Sequence, residues 1–301
     1  MPELPEVETV RRGLEPVLAG AVITRADINR KDLRFAFPPR FGERLTGSKV
    51  LSLSRRAKYL VAQLDTGEAL ILHLGMSGRF LIVHPEEQRR QAMANFTHEA
   101  GRLPAHDHVV LHLNSGISII YNDTRRFGFM DLVPGVSWAT TRHFAAMGIE
   151  PLGNALSGET LARLFDKKST SLKAALLDQR LIAGLGNIYV CEALFRAGLS
   201  PEAAAGSIVK ADGSPSEAAN RLATIIRDVL EEALEAGGST LRDFAHADGS
   251  LGYFQHRFKV YGREGEPCVT PVCSNVVVRK VQAGRSTFYC AHCQKLRQRY
   301  A

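Results

Sequence analysis

Apolar residues at Leu4, Val7, Val10, Leu14, Val17 and Leu18 recur at steps of three and four, so the start of the chain reads as an amphipathic helix with Pro5 in its first turn. Short apolar or alternating runs follow at 21–28, 49–63, 69–74, 79–83, 107–113, 117–121 and 129–133, separated by Gly-rich or polar turns. A series of short strands behind one helix predicts a β-sandwich. Residues 85–106 are polar and without period, which predicts a surface insertion. Beyond Pro134-Gly135 the spacing becomes helical, at 139–147, 158–165, 171–177, 187–197 and 216–236, with Gly198, Gly237 and Gly238 as stops. Residues 203–220, rich in Ala, Ser and Gly, read as a loop between helices. The change of period makes this an α+β chain whose halves meet near residues 134–150.

Composition narrows the class. With 301 residues, 45% of them apolar and 23% charged, the chain is long enough for two domains with separate cores. No apolar stretch approaches the ~18 residues of a membrane span. The acidic start at Glu3, Glu6 and Glu8 is the wrong flank for a signal peptide, so a cytoplasmic protein is expected. The formal charge of +7 is concentrated: nine Lys/Arg against Glu264 and Glu266 between His256 and Ala301 account for all of it. A basic C-terminal segment of this kind suits contact with a phosphate backbone. A solvated tail would explain Lys295, Arg297 and Arg299, but not Arg279 and Arg285, which lie between cysteine pairs.

Those cysteines fall as Cys268-x4-Cys273-x16-Cys290-x2-Cys293. Two short loops that each bring two sulfurs to one point are what a tetrahedral Zn²⁺ with four thiolates requires, and a cytoplasmic location argues against disulfides. Such a site is closed to water and substrate, so one structural zinc is expected, folding a ribbon that displays basic side chains. His292, between the last two cysteines, is expected to be exposed, and Cys191 to be a small core residue.

The N-terminus carries a second candidate chemistry. Removal of Met1 would leave Pro2 with a free secondary amine, and an α-amino group with a pKa near ~7.7–8.0 is partly unprotonated at neutral pH. Attack on a sugar C1′ would give an iminium that acidifies the C2′ proton, with the Glu3 carboxylate at hand for proton transfer. Many chains begin Met-Pro without any such role. Further on, Gly184 and Gly186 allow close backbone approach and Asn187 would cap a helix whose free N–H groups face an anion; alone, this is also an ordinary loop. Lys58, read as lying on a strand beside Tyr59, Leu60 and Val61, reads on those neighbours alone as a snorkelling edge lysine.

The runs PELPEVETVRRG, RRAKYL at 55–60, HLGMSG at 73–78, TRRFG at 124–128 and GLGNIY at 184–189, with the cysteine cluster, resemble the bacterial formamidopyrimidine-DNA glycosylase family in consistent order from residue 2 to about residue 295. The resemblance implies three parts: an N-terminal β-sandwich catalytic domain at 1–134, a helical helix–two-turn–helix DNA-binding domain at 135–254 and a C-terminal zinc ribbon at 255–301. It implies a bifunctional glycosylase and abasic-site lyase that excises oxidised purines, 8-oxoguanine and formamidopyrimidines, through a Schiff base on Pro2 followed by β,δ-elimination. Glu3 would handle protons, Lys58 would contact phosphate and assist elimination, and Arg285 would grip the phosphates of the damaged nucleotide. His73, His106, Lys168 and Asn187 match DNA contacts of the family. A base-excising enzyme must also fill the hole left by the extruded nucleotide. Met76 and Phe127 have the bulk and Arg125 can bond the orphaned base, although Met and Phe are more often core residues. The expected partner is damaged double-stranded DNA, bound by a monomer in the bacterial cytoplasm, at the nucleoid, with no membrane involved.

Two departures from the family's usual pattern stand out: the first cysteine knuckle is x4 where x2 is more usual, and Thr124 stands where Pro is common. A sister branch, endonuclease eight, prefers oxidised pyrimidines and typically begins Pro-Glu-Gly-Pro; Leu4 here favours the purine branch. A non-catalytic zinc-ribbon binder would explain the charge and the cysteines but leaves Pro2, Glu3 and Lys58 without a role.

Overall fold

The computed structural model describes residues 2–86, 104–239 and 252–295. Most of the expected insertion, most of the segment 238–253, and Met1, Arg297 and Arg299 lie outside these. By contact the chain divides into two compact units, Met1–Ala145 with Gly237–Tyr253, and Ala146–Ala236 with Phe254–Ala301.

The first unit is an N-terminal β-sandwich with a helix on it. Helix α1 (Leu4–Leu18) buries Leu4, Val7, Val10, Leu14 and Leu18 on one stripe, as the spacing predicts, and Pro5 sits where its missing N–H has no helical partner to lose. One antiparallel sheet has the order β1-β6-β7-β5, from β1 (Ile23–Ile28), β6 (Asp107–Leu113), β7 (Ser118–Asn122) and β5 (Arg79–Val83). The other has the order β2-β3-β4-β8, from β2 (Val50–Arg56), β3 (Tyr59–Leu64), β4 (Glu68–His73) and β8 (Phe129–Pro134). Short helix α2 (Phe41–Leu45) lies between β1 and β2. Val10 and Leu14 of α1, Leu60 and Leu72 of one sheet and Leu111 and Ile119 of the other share one core.

Two expectations change here. The run at 49–63 is a hairpin rather than one strand: β2 and β3 pair antiparallel through a tight turn at Ala57-Lys58, with Ala57 at φ +53. The apolar spacing at 139–147 does not form an α-helix; a 3₁₀ segment, Gly135–Thr140, broken at Ser137, is followed by turns.

The second unit holds α3 (Gly158–Phe165), α4 (Leu172–Leu177), α5 (Asn187–Ala197) and α6 (Glu217–Glu235). Serine side chains at 157, 171 and 216 cap α3, α4 and α6, and Gly198 in the left-handed region ends α5. The apolar faces of α5 and α6 meet in a core with Phe165, Leu172 and Phe254. The hairpin of β9 (Val278–Gln282) and β10 (Arg285–Tyr289) belongs to the same unit, turning at Ala283 (φ +47) and Gly284 (φ +72). Two successive positive φ angles give the tight turn that suits the right-handed twist of a hairpin. Among the described residues no helix is long and apolar enough to cross a membrane.

Candidate functional site

Chain ends usually fray, but this one is pinned. Pro2 and Glu3 are buried, and Glu3 is the N-cap of α1 in a capping box whose second arm runs from Glu3 N–H to Glu6 Oε2 at 2.8 Å. The other oxygen of Glu6, Oε1, accepts from Ser239 N at 2.9 Å and Ser239 Oγ at 3.0 Å. Gly238, at φ +78, adopts a conformation that favours glycine, and a Cβ here would stand 3.1 Å from Glu6 Oε1 and press on that carboxylate. Ser239 bridges to Tyr253, which closes the base of the segment 238–253 beside the terminus. Glu6 therefore holds both the start of α1 and the root of that segment.

Lys58 lies in the β2–β3 turn, not on a strand, and is 7% exposed. Its neighbour Tyr59 pairs across the sheet with His73, and His73 with Phe129. The His73 ring stacks on Phe129 with centroids 5.3 Å apart and leans on Tyr59 at 4.7 Å. Burial, helped by the positive charges of Lys58 and Arg34, pushes His73 down to about 4, so the ring is neutral near pH 7. Because Gly75 N donates to Nδ1 at 3.0 Å, the proton sits on Nε2. His73 thus offers one uncharged N–H donor close to a lysine.

The loops that carry the candidate void-fillers are adjacent. Met76 is half-buried, whereas Arg125 and Phe127 are exposed, with the Arg125 guanidinium 4.8 Å from the Phe127 ring centroid. Phe127 is 46% exposed, which excludes the alternative that it is a core residue. His106 ends a 3₁₀ turn (Pro104–His106), and its carbonyl accepts from Asp123 N at 3.1 Å.

In the second unit the structure brings Asn187 and Arg285 together. The N-cap of α5 is Gly186 rather than Asn187, and the Asn187 amide instead donates to the carbonyl of Ser286 at 2.8 Å. A side chain from outside the sequence reading joins them: Lys173, 1% exposed, donates to the same carbonyl at 3.0 Å and to Thr287 Oγ1 at 2.7 Å. Burial, with Arg285 adding repulsion, holds the Lys173 ammonium below the usual lysine range. The first strand residue, Arg285, stays exposed and is thus displayed by a root fixed from two helices. Lys168 lies after α3, in the turn where its N–H donates to Phe165 O at 3.0 Å, and takes no part in this cluster. Glu192, also absent from the sequence reading, is wholly buried on α5 and accepts from the backbone N–H groups of Lys259, Val260 and Tyr261 at 2.9, 3.0 and 2.8 Å. The signal for both was a charged residue on an otherwise apolar helix face.

The ligand atoms of Cys268, Cys273, Cys290 and Cys293 all lie within 4.8 Å of one another. The Cys268–Cys293 and Cys273–Cys290 sulfurs are 3.8 Å apart, far beyond a disulfide bond and close to the ~3.8 Å edge of a tetrahedron with Zn–S ~2.3 Å. The donor set therefore fits one structural zinc. The longer first knuckle closes through Val272 at φ +59 and a Cys273 N–H to Thr270 O bond of 3.1 Å. As expected, His292 is exposed, and Cys191 is buried against the ribbon's core.

Comparison with known proteins agrees with this arrangement. Three families match in order: the formamidopyrimidine-DNA glycosylase N-terminal domain at residues 1–130, the formamidopyrimidine-DNA glycosylase H2TH domain at 147–245, and the zinc finger found in FPG and IleRS at 265–296. A formamidopyrimidine-DNA glycosylase from Methylobacterium nodulans is 62% identical over 297 residues, covering 99% of this chain and 100% of the relative. The crystal structure of the MutM (Fpg) protein from Thermus thermophilus superposes with a TM-score of 0.80 at 38% identity, covering 99% of this chain and 100% of that one. A Lactococcus lactis Fpg, solved in complex with abasic-site-containing DNA, gives a TM-score of 0.80 at 30% identity over 98% of this chain and 100% of that one. With the pinned terminus, the helical module and the four-thiolate ribbon all in the family's order, the chain belongs to the formamidopyrimidine-DNA glycosylase family.

Proposed function

We infer that the chain is a DNA-repair glycosylase and abasic-site lyase for oxidised purines in duplex DNA, with the Pro2 amine as nucleophile once Met1 is removed. The observation that carries this reading is the fixed N-terminus: Glu3 and Glu6, both almost wholly buried, hold the first residues through the capping box and Ser239. A chain end without a role has no need of two buried carboxylates, each costly to desolvate.

In this reading the Pro2 nitrogen attacks C1′ and the base departs with the electron pair of its glycosidic bond, protonated as it leaves. Glu3 is the carboxylate placed to move protons at the sugar. The nitrogen sheds its proton and the C1′–O4′ bond opens, O4′ taking a proton, to give the iminium; this acidifies the C2′ proton, whose removal breaks the bond to the 3′ phosphate oxygen, and a second elimination releases the 5′ side, leaving a one-nucleotide gap. Lys58 supplies positive charge beside the neutral N–H of His73, a pair suited to one phosphate. Lys168, Arg285 and the free N–H groups at the start of α5 contact the strand, and His106 contributes from the first unit. Met76, Arg125 and Phe127 fill the space of the extruded nucleotide. The zinc, when bound, folds the ribbon that presents Arg285 and performs no chemistry. Lactococcus lactis Fpg has been solved both with Fapy-dG-containing DNA and with oxidised-pyrimidine-containing DNA, so the purine preference rests on the Pro2-Glu3-Leu4-Pro5 start of this chain.

The test is cleavage of duplexes carrying 8-oxoguanine, against matched duplexes with an oxidised pyrimidine. Faster release of 8-oxoguanine supports the reading; a pyrimidine preference overturns the substrate class, and no cleavage of either overturns the activity.

A further inference from the structure

Asp123 follows β7 and is wholly buried, yet no lysine or arginine side chain bonds its carboxylate among the described contacts. Oδ1 accepts from Ser77 Oγ at 2.5 Å and Arg125 N at 3.3 Å. Oδ2 accepts from Gly128 N at 2.9 Å and Tyr121 Oη at 3.2 Å. Ser77 also accepts from Arg125 N at 3.0 Å, so a single carboxylate ties the loop that carries Met76 to the loop that carries Arg125 and Phe127. Its own backbone is held as well: Asp123 O accepts from Arg126 N at 3.3 Å and stands 2.8 Å from His108 Nε2.

The two loops are also in backbone contact. A Cβ at Gly75 would stand 2.3 Å from Phe127 C and Gly128 N, and one at Gly78 or Gly128 would stand 2.3 or 1.8 Å from Tyr121 Oη. The two loops are therefore packed backbone against backbone, with no space for a side chain between them. The charge of Asp123 is needed for a geometric reason. An asparagine would turn its NH₂ toward either Arg125 N–H or Gly128 N–H, and a backbone donor cannot reverse as the Ser77 and Tyr121 hydroxyls can. Only a carboxylate accepts on both sides.

We propose that Asp123 is a positioning residue that clasps the two loops into one preassembled wedge, so that Met76, Arg125 and Phe127 enter the duplex together. This rests on the void-filling reading given above. Holding three side chains in place before they meet DNA lowers the ordering cost of extrusion. It does not alter the chemistry at Pro2.

The test compares wild type with D123N, S77A and F127A in two single-turnover reactions, excision of 8-oxoguanine from a duplex and borohydride trapping on a single-stranded abasic oligonucleotide, which has no helix to wedge open. A 2-aminopurine next to the lesion reports unstacking. D123N and S77A are expected to slow duplex excision and the 2-aminopurine signal at least tenfold and threefold respectively, to leave single-strand trapping within twofold, and to be non-additive when combined; S77A carries the test if D123N does not fold. Wild-type duplex rates in both variants alongside a slow F127A would overturn the proposal alone. Equal loss in both reactions would reduce Asp123 to a general structural role and overturn it too. A fully active F127A would sink the void-filling reading, and the proposal with it.

Discussion

Replacing Glu192 should loosen the chain leading into the zinc ribbon, because this buried carboxylate is the shared acceptor for three consecutive backbone N–H groups, those of Lys259, Val260 and Tyr261. The side chain of Val260 is fully buried and its N–H bond to Glu192 lies in the interior; those of Lys259 and Tyr261 are partly exposed. In E192A the Val260 N–H is left dry, at about 1–3 kcal/mol, while the other two regain water and lose about 0.5–1 kcal/mol each. The sum is about 2–5 kcal/mol. In E192Q one oxygen still accepts from Val260 and Tyr261 while the NH₂ meets Lys259 N–H, so about 1–2 kcal/mol is expected. Urea unfolding of the zinc-loaded protein, followed by exchange at the amides of 259–261, would measure both; E192A costing under 1 kcal/mol, or no more than E192Q, would show that Glu192 does not anchor this segment.

Other outcomes follow from the same structure. V272G should raise stability by about 1 kcal/mol in thermal unfolding, since Val272 is a fully exposed β-branched residue at φ +59, where glycine fits without strain. His73 is held at about 4 when folded against 6.5 when unfolded, so the unfolded chain takes up its proton first on acidification. Stability should therefore be full above pH 6.5 and fall by about 2–3 kcal/mol as pH drops toward 4, and H73Q should flatten that part of the urea-midpoint profile. R285A should weaken DNA binding across sequences and lower the slope of log K against log salt by about 1; an unchanged slope in folded protein would mean that Arg285 does not meet phosphate.

What could be read from the sequence divides along a physical line. Local order was legible: the α1 stripe and six of the strand runs depend on residues within a few positions of one another. So was the cysteine cluster, whose spacing carries its geometry. The hairpin at Ala57-Lys58 was not legible, because alanine in the left-handed region leaves no turn signal and the apolar pattern runs through it. The apolar residues at 139–147 have helical spacing, but Phe144 packs edge-on against Tyr59 and Trp138, and that packing draws the chain into turns. Asp123, Lys173 and Glu192 were invisible for a third reason. Asp123 has local partners too, but Ser77, which ties it to the other loop, lies 46 residues away, and the partners of Lys173 and Glu192 lie 113 and 67 or more residues away, so one sequence shows a charge and not what satisfies it.

The mechanism turns on which amine attacks the sugar. Borohydride reduction of the protein mixed with 8-oxoguanine duplex, followed by peptide mapping of the adduct, tests it directly. The expected adduct carries DNA at Pro2, and none forms in protein that retains Met1 yet still binds the duplex. An adduct on Lys58, or undiminished trapping by N-terminally blocked protein, would contradict it.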